Sequence, residues 1–180
     1  MSQAQRISEN AALLKNLQQL MWDASDAIMA VYASDAFGES LKSDDSPVTL
    51  ADLAAHQVLV EGLATLTRDI PVVSEEDADS VALGREHSCY WLIDPLDGTK
   101  EFIKKNGEFT VNIALIKNQQ PILGVIGVPA KNTVYAAVKG EGAFKQQGDN
   151  ELQAIKIKFQ DPDHLTFAVS RSHLDDHTKA

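Results

Sequence analysis

Apolar residues return at steps of three and four between Leu13 and Val31, through Leu14, Leu17, Leu20, Met21, Ala24 and Ile28. That spacing lays one stripe along a helix, so the chain is expected to open with a long amphipathic helix. Residues 33–46 are polar and contain glycine, and read as a loop. A second helix is expected after Pro47, with Thr49 as its N-cap and Leu53, Leu59, Val60, Leu63 and Leu66 among its apolar positions. From Ile70 the period shortens. Residues 71–74 and 89–93 are brief apolar runs, each followed at once by acidic residues. Phe109, Val111, Ile113 and Leu115 alternate with Thr110, Asn112 and Ala114, the signature of a half-buried strand. Turns and further runs follow at 122–128, 133–138, 141–144 and 152–159, and residues 165–169 read as one more strand after Asp161-Pro162. Two helices followed by hairpin-connected strands predict an α+β layer with a largely antiparallel sheet.

Composition narrows the possible partners. The 26 Asp and Glu outweigh the 16 Lys and Arg, for a net charge of −10, which argues against a nucleic acid polymer as partner because phosphate contacts need a basic face. An acidic chain can still act on a small anion when bound divalent cations reverse the local field. No apolar run approaches the about 18–20 residues that span a bilayer, and residues 1–10 lack the apolar core of a secretory signal. The lone Cys89 cannot form an intrachain disulfide and reads as a small strand residue.

Chemistry concentrates in three segments. Asp94-Pro95-Leu96-Asp97-Gly98-Thr99 follows the run ending at Ile93, and sets two carboxylates at a strand end where Pro95 and Gly98 shape the backbone. Close carboxylates repel one another and are costly to bury without a cation, and hard cations such as Mg²⁺ prefer oxygen ligands. Ser74-Glu75-Glu76-Asp77 also ends a short apolar run, so neighbouring strands would bring both acidic groups to one sheet edge. Asp52 lies in the first turn of the second helix, where an acid also serves the helix dipole. Each segment has a plain structural reading: a turn, a solvated loop, a helix-end charge. No GxxxxGK[ST] loop is present, and Gly140-Glu141-Gly142 reads as a turn. The five histidines include no HExxH pair, and His173 and His177 sit among acids near the C-terminus. Lys104 and Lys105 read as solvated charges, though a position close after Thr99 would let one approach an anionic substrate.

Taken together, Ser46-Pro47-Val48-Thr49-Leu50-Ala51-Asp52, Ser74-Glu75-Glu76-Asp77 and Trp91-Leu92-Ile93-Asp94-Pro95-Leu96-Asp97-Gly98-Thr99 resemble the inositol-monophosphatase-like superfamily of metal-dependent, lithium-sensitive phosphatases. Within it, the run from Asp97-Gly98-Thr99-Lys100-Glu101-Phe102 to Asn112-Ile113-Ala114, together with Ser170-Arg171-Ser172-His173, is similar to the 3′(2′),5′-bisphosphate nucleotidase branch. Inositol phosphatases typically carry Thr-Asn-Phe in place of Lys100-Glu101-Phe102, which makes an inositol-1-monophosphatase the second choice.

The resemblance implies the sugar-phosphatase fold, with residues 1–163 as its N-terminal α+β metal-site layer and 164–180 as the start of a second α/β domain that is mostly missing. It implies Glu75, Asp94, the Leu96 carbonyl and Asp97 as ligands for Mg²⁺, two or three ions in a complete site. Asp52 and Thr99 match the pair that orients the attacking water, with Glu75 also catalytic, and Glu75, Asp97, Gly98, Thr99 and Lys100 line the substrate position. The implied reaction is Mg²⁺-dependent hydrolysis of the 3′-phosphate of adenosine 3′,5′-bisphosphate in sulfur assimilation, in the cytoplasm or at the inner face of the cell membrane. The family's later Trp-Asp segment, with a further ligand, and its Gly-Ser-Ser segment have no counterpart after Thr99 in these 180 residues, the one Trp-Asp pair being Trp22-Asp23 in the expected first helix. Truncation would therefore impair activity, or leave a catalytically silent binding or assembly remnant, and would favour self-association through the exposed C-terminal region.

Overall fold

A computed structural model describes residues 3–34, 37–38, 40–41 and 47–157. The chain opens with α1 (Gln3–Ala33), passes the small antiparallel pair β1 (Ser40–Leu41) and β2 (Pro47–Val48), and enters α2 (Leu50–Leu66). Next come β3 (Val72–Ser74), a 3₁₀ turn (Ala78–Ser80), α3 (Val81–Glu86) and β4 (Cys89–Asp97). After the single-turn helix α4 (Thr99–Ile103), the chain forms β5 (Thr110–Lys117), β6 (Gln120–Val128), β7 (Thr133–Val138), β8 (Gly142–Gln147) and β9 (Gln153–Ile155). The fold is α+β.

Strands β3 to β9 lie in chain order in one seven-stranded sheet. Only the β3–β4 pairing is parallel; the others are antiparallel. Tight turns suffice for the antiparallel pairs, whereas two parallel neighbours need a crossover, which the 3₁₀ turn and α3 supply. Helices α1 and α2 pack on each other and on one sheet face. That face carries Trp91, Ile93, Val111, Ile113, Val125 and Val134, all buried, against Leu17, Met21, Ile28, Leu59 and Leu63 of the helices. Alternate residues on the other face stay open: Leu92 and Ile126 are exposed, and with Val81 they border a mostly apolar trough of about 540 Å³ beside Asp94 and Asn112. The alternation follows from the period of two along a strand.

Several sequence expectations need correction. Helix α1 is longer than the apolar stripe suggested, spanning Gln3–Ala33. In α2 the buried stripe runs through Ala51, Ala55, Leu59 and Leu63 at four-residue steps, leaving Leu53 exposed about 200° around the helix. Strand β4 does not stop at Ile93 but runs through Pro95 to Asp97. Helix α3 and the pair β1–β2 were not anticipated, since each is too short to show a period, whereas α4 stands where the family resemblance implies a helix opening at Gly98 and Thr99. Strand β9 covers only part of 152–159, of which residues 158 and 159 lie outside the described residues. So do the strand expected at 165–169, Ser170-Arg171-Ser172-His173, and the domain boundary at 163/164.

Helix α1 crosses β6 at Gly127, where the approach leaves no room for a side chain. A Cβ there would stand 2.6 Å from Met21 Sδ and 3.2 Å from Ser25 Oγ, and Met21 is fully buried. Gly127→Ala should lower unfolding stability by about 1–3 kcal/mol through overpacking, measured by urea denaturation. A change below about 0.5 kcal/mol would mean that Met21 repacks freely.

Candidate active site

The site is built on the start of α2. Thr49 is extended (φ −123°, ψ 171°) and caps the helix, its Oγ1 accepting from Ala51 N at 3.2 Å. Asp52 closes a capping box: its Oδ2 accepts from Thr49 N at 2.7 Å and from Thr49 Oγ1 at 2.6 Å. Its other oxygen, Oδ1, accepts from Thr99 Oγ1 at 3.2 Å, across 47 residues of chain. Asp52 is therefore more than a helix-end charge, because it joins α2 to the β4–α4 junction. It is fully buried. Burial pushes its carboxyl above the usual value of 3.8, while the hydrogen bonds from Thr49 and Thr99 pull it back down.

Strands β3 and β4 are parallel neighbours in the register Ser74–Ile93, and Glu75 N donates to Ile93 O at 3.1 Å. Glu75 therefore leaves β3 level with Asp94 on β4. Between the pairs Asp94–Asn112 and Asp97–Thr110, Pro95 and Leu96 on β4 oppose Val111 alone on β5. This is a bulge, and Pro95, which has no N–H to give to a ladder, fits there. The Leu96 carbonyl lies 3.3 Å from Thr99 Oγ1, a competing acceptor for the one hydroxyl proton that also reaches Asp52 Oδ1, and Asp97 Oδ2 accepts from Asn112 Nδ2 at 3.4 Å. Gly98 then turns the chain with φ 98°, where a Cβ would meet Glu108 O at 3.0 Å. Thr99 opens α4, and Lys100 follows it, exposed.

Helix α4 is too short to hold itself, and aromatic packing does it instead. Phe102, fully buried, lies 5.2 Å from Tyr32 of α1, 5.4 Å from Phe37 and 5.2 Å from Phe109 between ring centroids. Lys105 stacks over Phe37 at 5.2 Å, and Lys104 is exposed.

The fold thus brings Asp52, Glu75, Asp94, Leu96, Asp97, Gly98 and Thr99 to one region, although Glu75 and Asp97 are solvent-exposed while Asp94 Oδ1 is buried. Among the described residues, no three His, Cys, Asp or Glu side chains are gathered into a ready-made metal site. The donors nonetheless suit a hard cation in kind, being carboxylates and a bulged backbone carbonyl. Close carboxylates repel one another, and a bound divalent cation would offset that repulsion. Sequence reasoning missed Asn112, the aromatic cluster and His56, which bonds Ser74 beside the acidic turn. His56 had one available signal: it lies four residues after Asp52, on the same helix face.

The model of the inositol monophosphatase family matches residues 9–180. The 3′(2′),5′-bisphosphate nucleotidase CysQ of Salmonella typhimurium is 49% identical over 165 residues, 91% of this chain and 65% of that protein, so the chain spans just under two thirds of this curated relative. The crystal structure of CysQ from Bacteroides thetaiotaomicron superposes with a TM-score of 0.74 at 37% identity, covering 95% of this chain and 66% of that one. An inositol monophosphatase/NADP phosphatase solved with Mg²⁺ and phosphate shares the fold at a TM-score of 0.62 and 23% identity, over 80% of this chain and 52% of its own. With its α+β layer, its acidic strand ends and these matches, the chain belongs to the inositol monophosphatase family.

Proposed function

We propose that this chain carries the metal-site half of a Mg²⁺-dependent phosphatase that hydrolyses the 3′-phosphate of adenosine 3′,5′-bisphosphate. The observation that supports it most is the level placement of Glu75, just past the end of β3, and Asp94 on the neighbouring β4, with the Asp52–Thr99 hydrogen bond alongside. Glu75, Asp94, the Leu96 carbonyl and Asp97 would hold the cations, whose chemistry when bound is to activate water and neutralise phosphoryl charge. Thr99 has one hydroxyl proton. With that proton directed to Asp52 Oδ1, the Oγ1 lone pairs are left to accept from an attacking water and orient it. Burial raises the basicity of Asp52 and so strengthens its hold on that proton. Lys100, exposed just after Thr99, would contribute positive charge toward the nucleotide's second phosphate. The 49% identity to a bisphosphate nucleotidase favours this substrate over inositol 1-phosphate. A small soluble nucleotide as substrate fits work in the cytoplasm.

The solvent exposure of Glu75 and Asp97 fits a second reading, a catalytically silent module that binds metal or phosphate weakly and associates with itself. Phosphate release from adenosine 3′,5′-bisphosphate, with and without Mg²⁺, separates the two, and inositol 1-phosphate run in parallel fixes the substrate class. Asp94→Asn should abolish Mg²⁺-dependent release and weaken Mn²⁺ binding in calorimetric titration. Unchanged Mn²⁺ affinity would remove Asp94 from the site.

Thr99→Val keeps the side chain's size and deletes the hydroxyl, so it should lower kcat by about 10²–10⁴-fold with little change in Mn²⁺ affinity, while Thr99→Ser keeps most activity. Equal rates for the folded Val and Ser variants would rule out the water-orienting role.

Asp52 also predicts a pH effect. Its folded-state pKa lies above the unfolded value near 3.8, so between the two the folded chain binds more protons than the unfolded one. Stability contributed by this group therefore falls as pH rises through that window. Measured with chelator present, the stability of wild type relative to Asp52→Asn should decline from pH 3.8 upward and then level off. A difference independent of pH would mean that burial does not control this carboxyl.

A further inference from the structure

Helix α2 carries a second polar group one turn after Asp52. His56 Nδ1 shares a hydrogen bond of 2.8 Å with Ser74 Oγ, the last residue of β3. Ser74 is 2% exposed and is anchored at every polar atom. Its N–H donates to Ser80 Oγ at 3.0 Å, and its carbonyl accepts from Asp77 N at 3.2 Å. Its Oγ accepts from Glu76 N at 3.2 Å. The Ser74–Asp77 bond closes a turn with Glu75 and Glu76 as its central residues. That turn leaves the sheet from Ser74, whose Oγ is held between His56 Nδ1 and Glu76 N.

The same helix face thus grips both parts of the site. Asp52 holds the β4–α4 junction through Thr99, and four residues on His56 holds the β3 turn through Ser74. A helix turn is rigid, so the two contacts fix the separation between the two parts. We propose that His56 is a positioning residue: through Ser74 it sets where the Glu75-Glu76 turn stands relative to Asp94. The inference rests on the metal-site reading above. Groups that orient metal ligands from one step away typically matter about 10–100-fold in metal affinity.

The test compares wild type, His56→Ala, His56→Asn, Ser74→Ala and the His56→Ala/Ser74→Ala double variant of the full chain. Asn can offer an amide near the position of Nδ1, as donor or acceptor, and serves as the rescue. Two readouts are needed: amide hydrogen exchange of Glu76 in chelator, and Mn²⁺ affinity by calorimetric titration. His56→Ala should cut protection of the Glu76 amide by about tenfold while the amides of Leu59 and Leu63 keep theirs, because one local bond is lost and not the fold. Mn²⁺ affinity should drop by about tenfold in His56→Ala and in Ser74→Ala, no further in the double variant, and recover in His56→Asn. Wild-type protection and affinity in His56→Ala would overturn the proposal, as would a His56→Asn variant no better than Ala. A wild-type chain that binds no Mn²⁺ would defeat the metal reading and the role of His56 with it, whatever the exchange data show of the Ser74 contact itself.

Discussion

A carboxylate without solvent, Asp52, holds the site together. Burying it is unfavourable by itself, and the local fold offsets that cost with the Thr49 amide, the Thr49 hydroxyl and the Thr99 hydroxyl. Two of those partners come from the helix cap and the third from a distant strand end. The helix start and the β4–α4 junction are consequently bound to a common charge. Loss of either would leave a buried group unsatisfied, so the interaction specifies geometry more than it adds stability.

The sheet contributes the second constraint. Parallel pairing of β3 with β4 brings Glu75 and Asp94 to the same level, and the bulge at Pro95 and Leu96 takes a carbonyl out of the ladder beside Thr99. Gly98 and the Tyr32, Phe102 and Phe109 cluster then fix the single turn that follows. Polar chemistry on the strand ends thus depends on apolar packing below it. The opposite face of the sheet shows the same alternation but, among the described residues, is covered by helix at its β3–β4 edge alone, through the short α3, so Leu92 and Ile126 remain exposed beside the acidic residues.

Much of this was legible in the residues themselves. The stripe from Leu14 to Ile28 announced α1, Thr49 announced the start of α2, and the alternation from Phe109 to Leu115 announced β5, because helix and strand periods are local properties of the chain. The acidic strand ends at Glu75, Asp94 and Asp97 could be singled out because carboxylates beside apolar runs are unusual and costly. The motif order also pointed to the family that the comparisons then showed.

What the chain pattern could not decide was which of these residues meet. Pairing of β3 with β4 is parallel because α3 makes a crossover, and α3 is too short to carry a readable period. Local pattern carries no information over the 47 residues between Asp52 and Thr99, a pair that the family resemblance alone implied, or over the 18 between His56 and Ser74. Leu53 looked like core and is exposed, because packing against α1 and β4 chose which apolar stripe of α2 would be covered. Sequence determined the elements and the chemical types at their ends; tertiary packing alone decided the register, the bulge and the contacts, because these arise between segments and not within them.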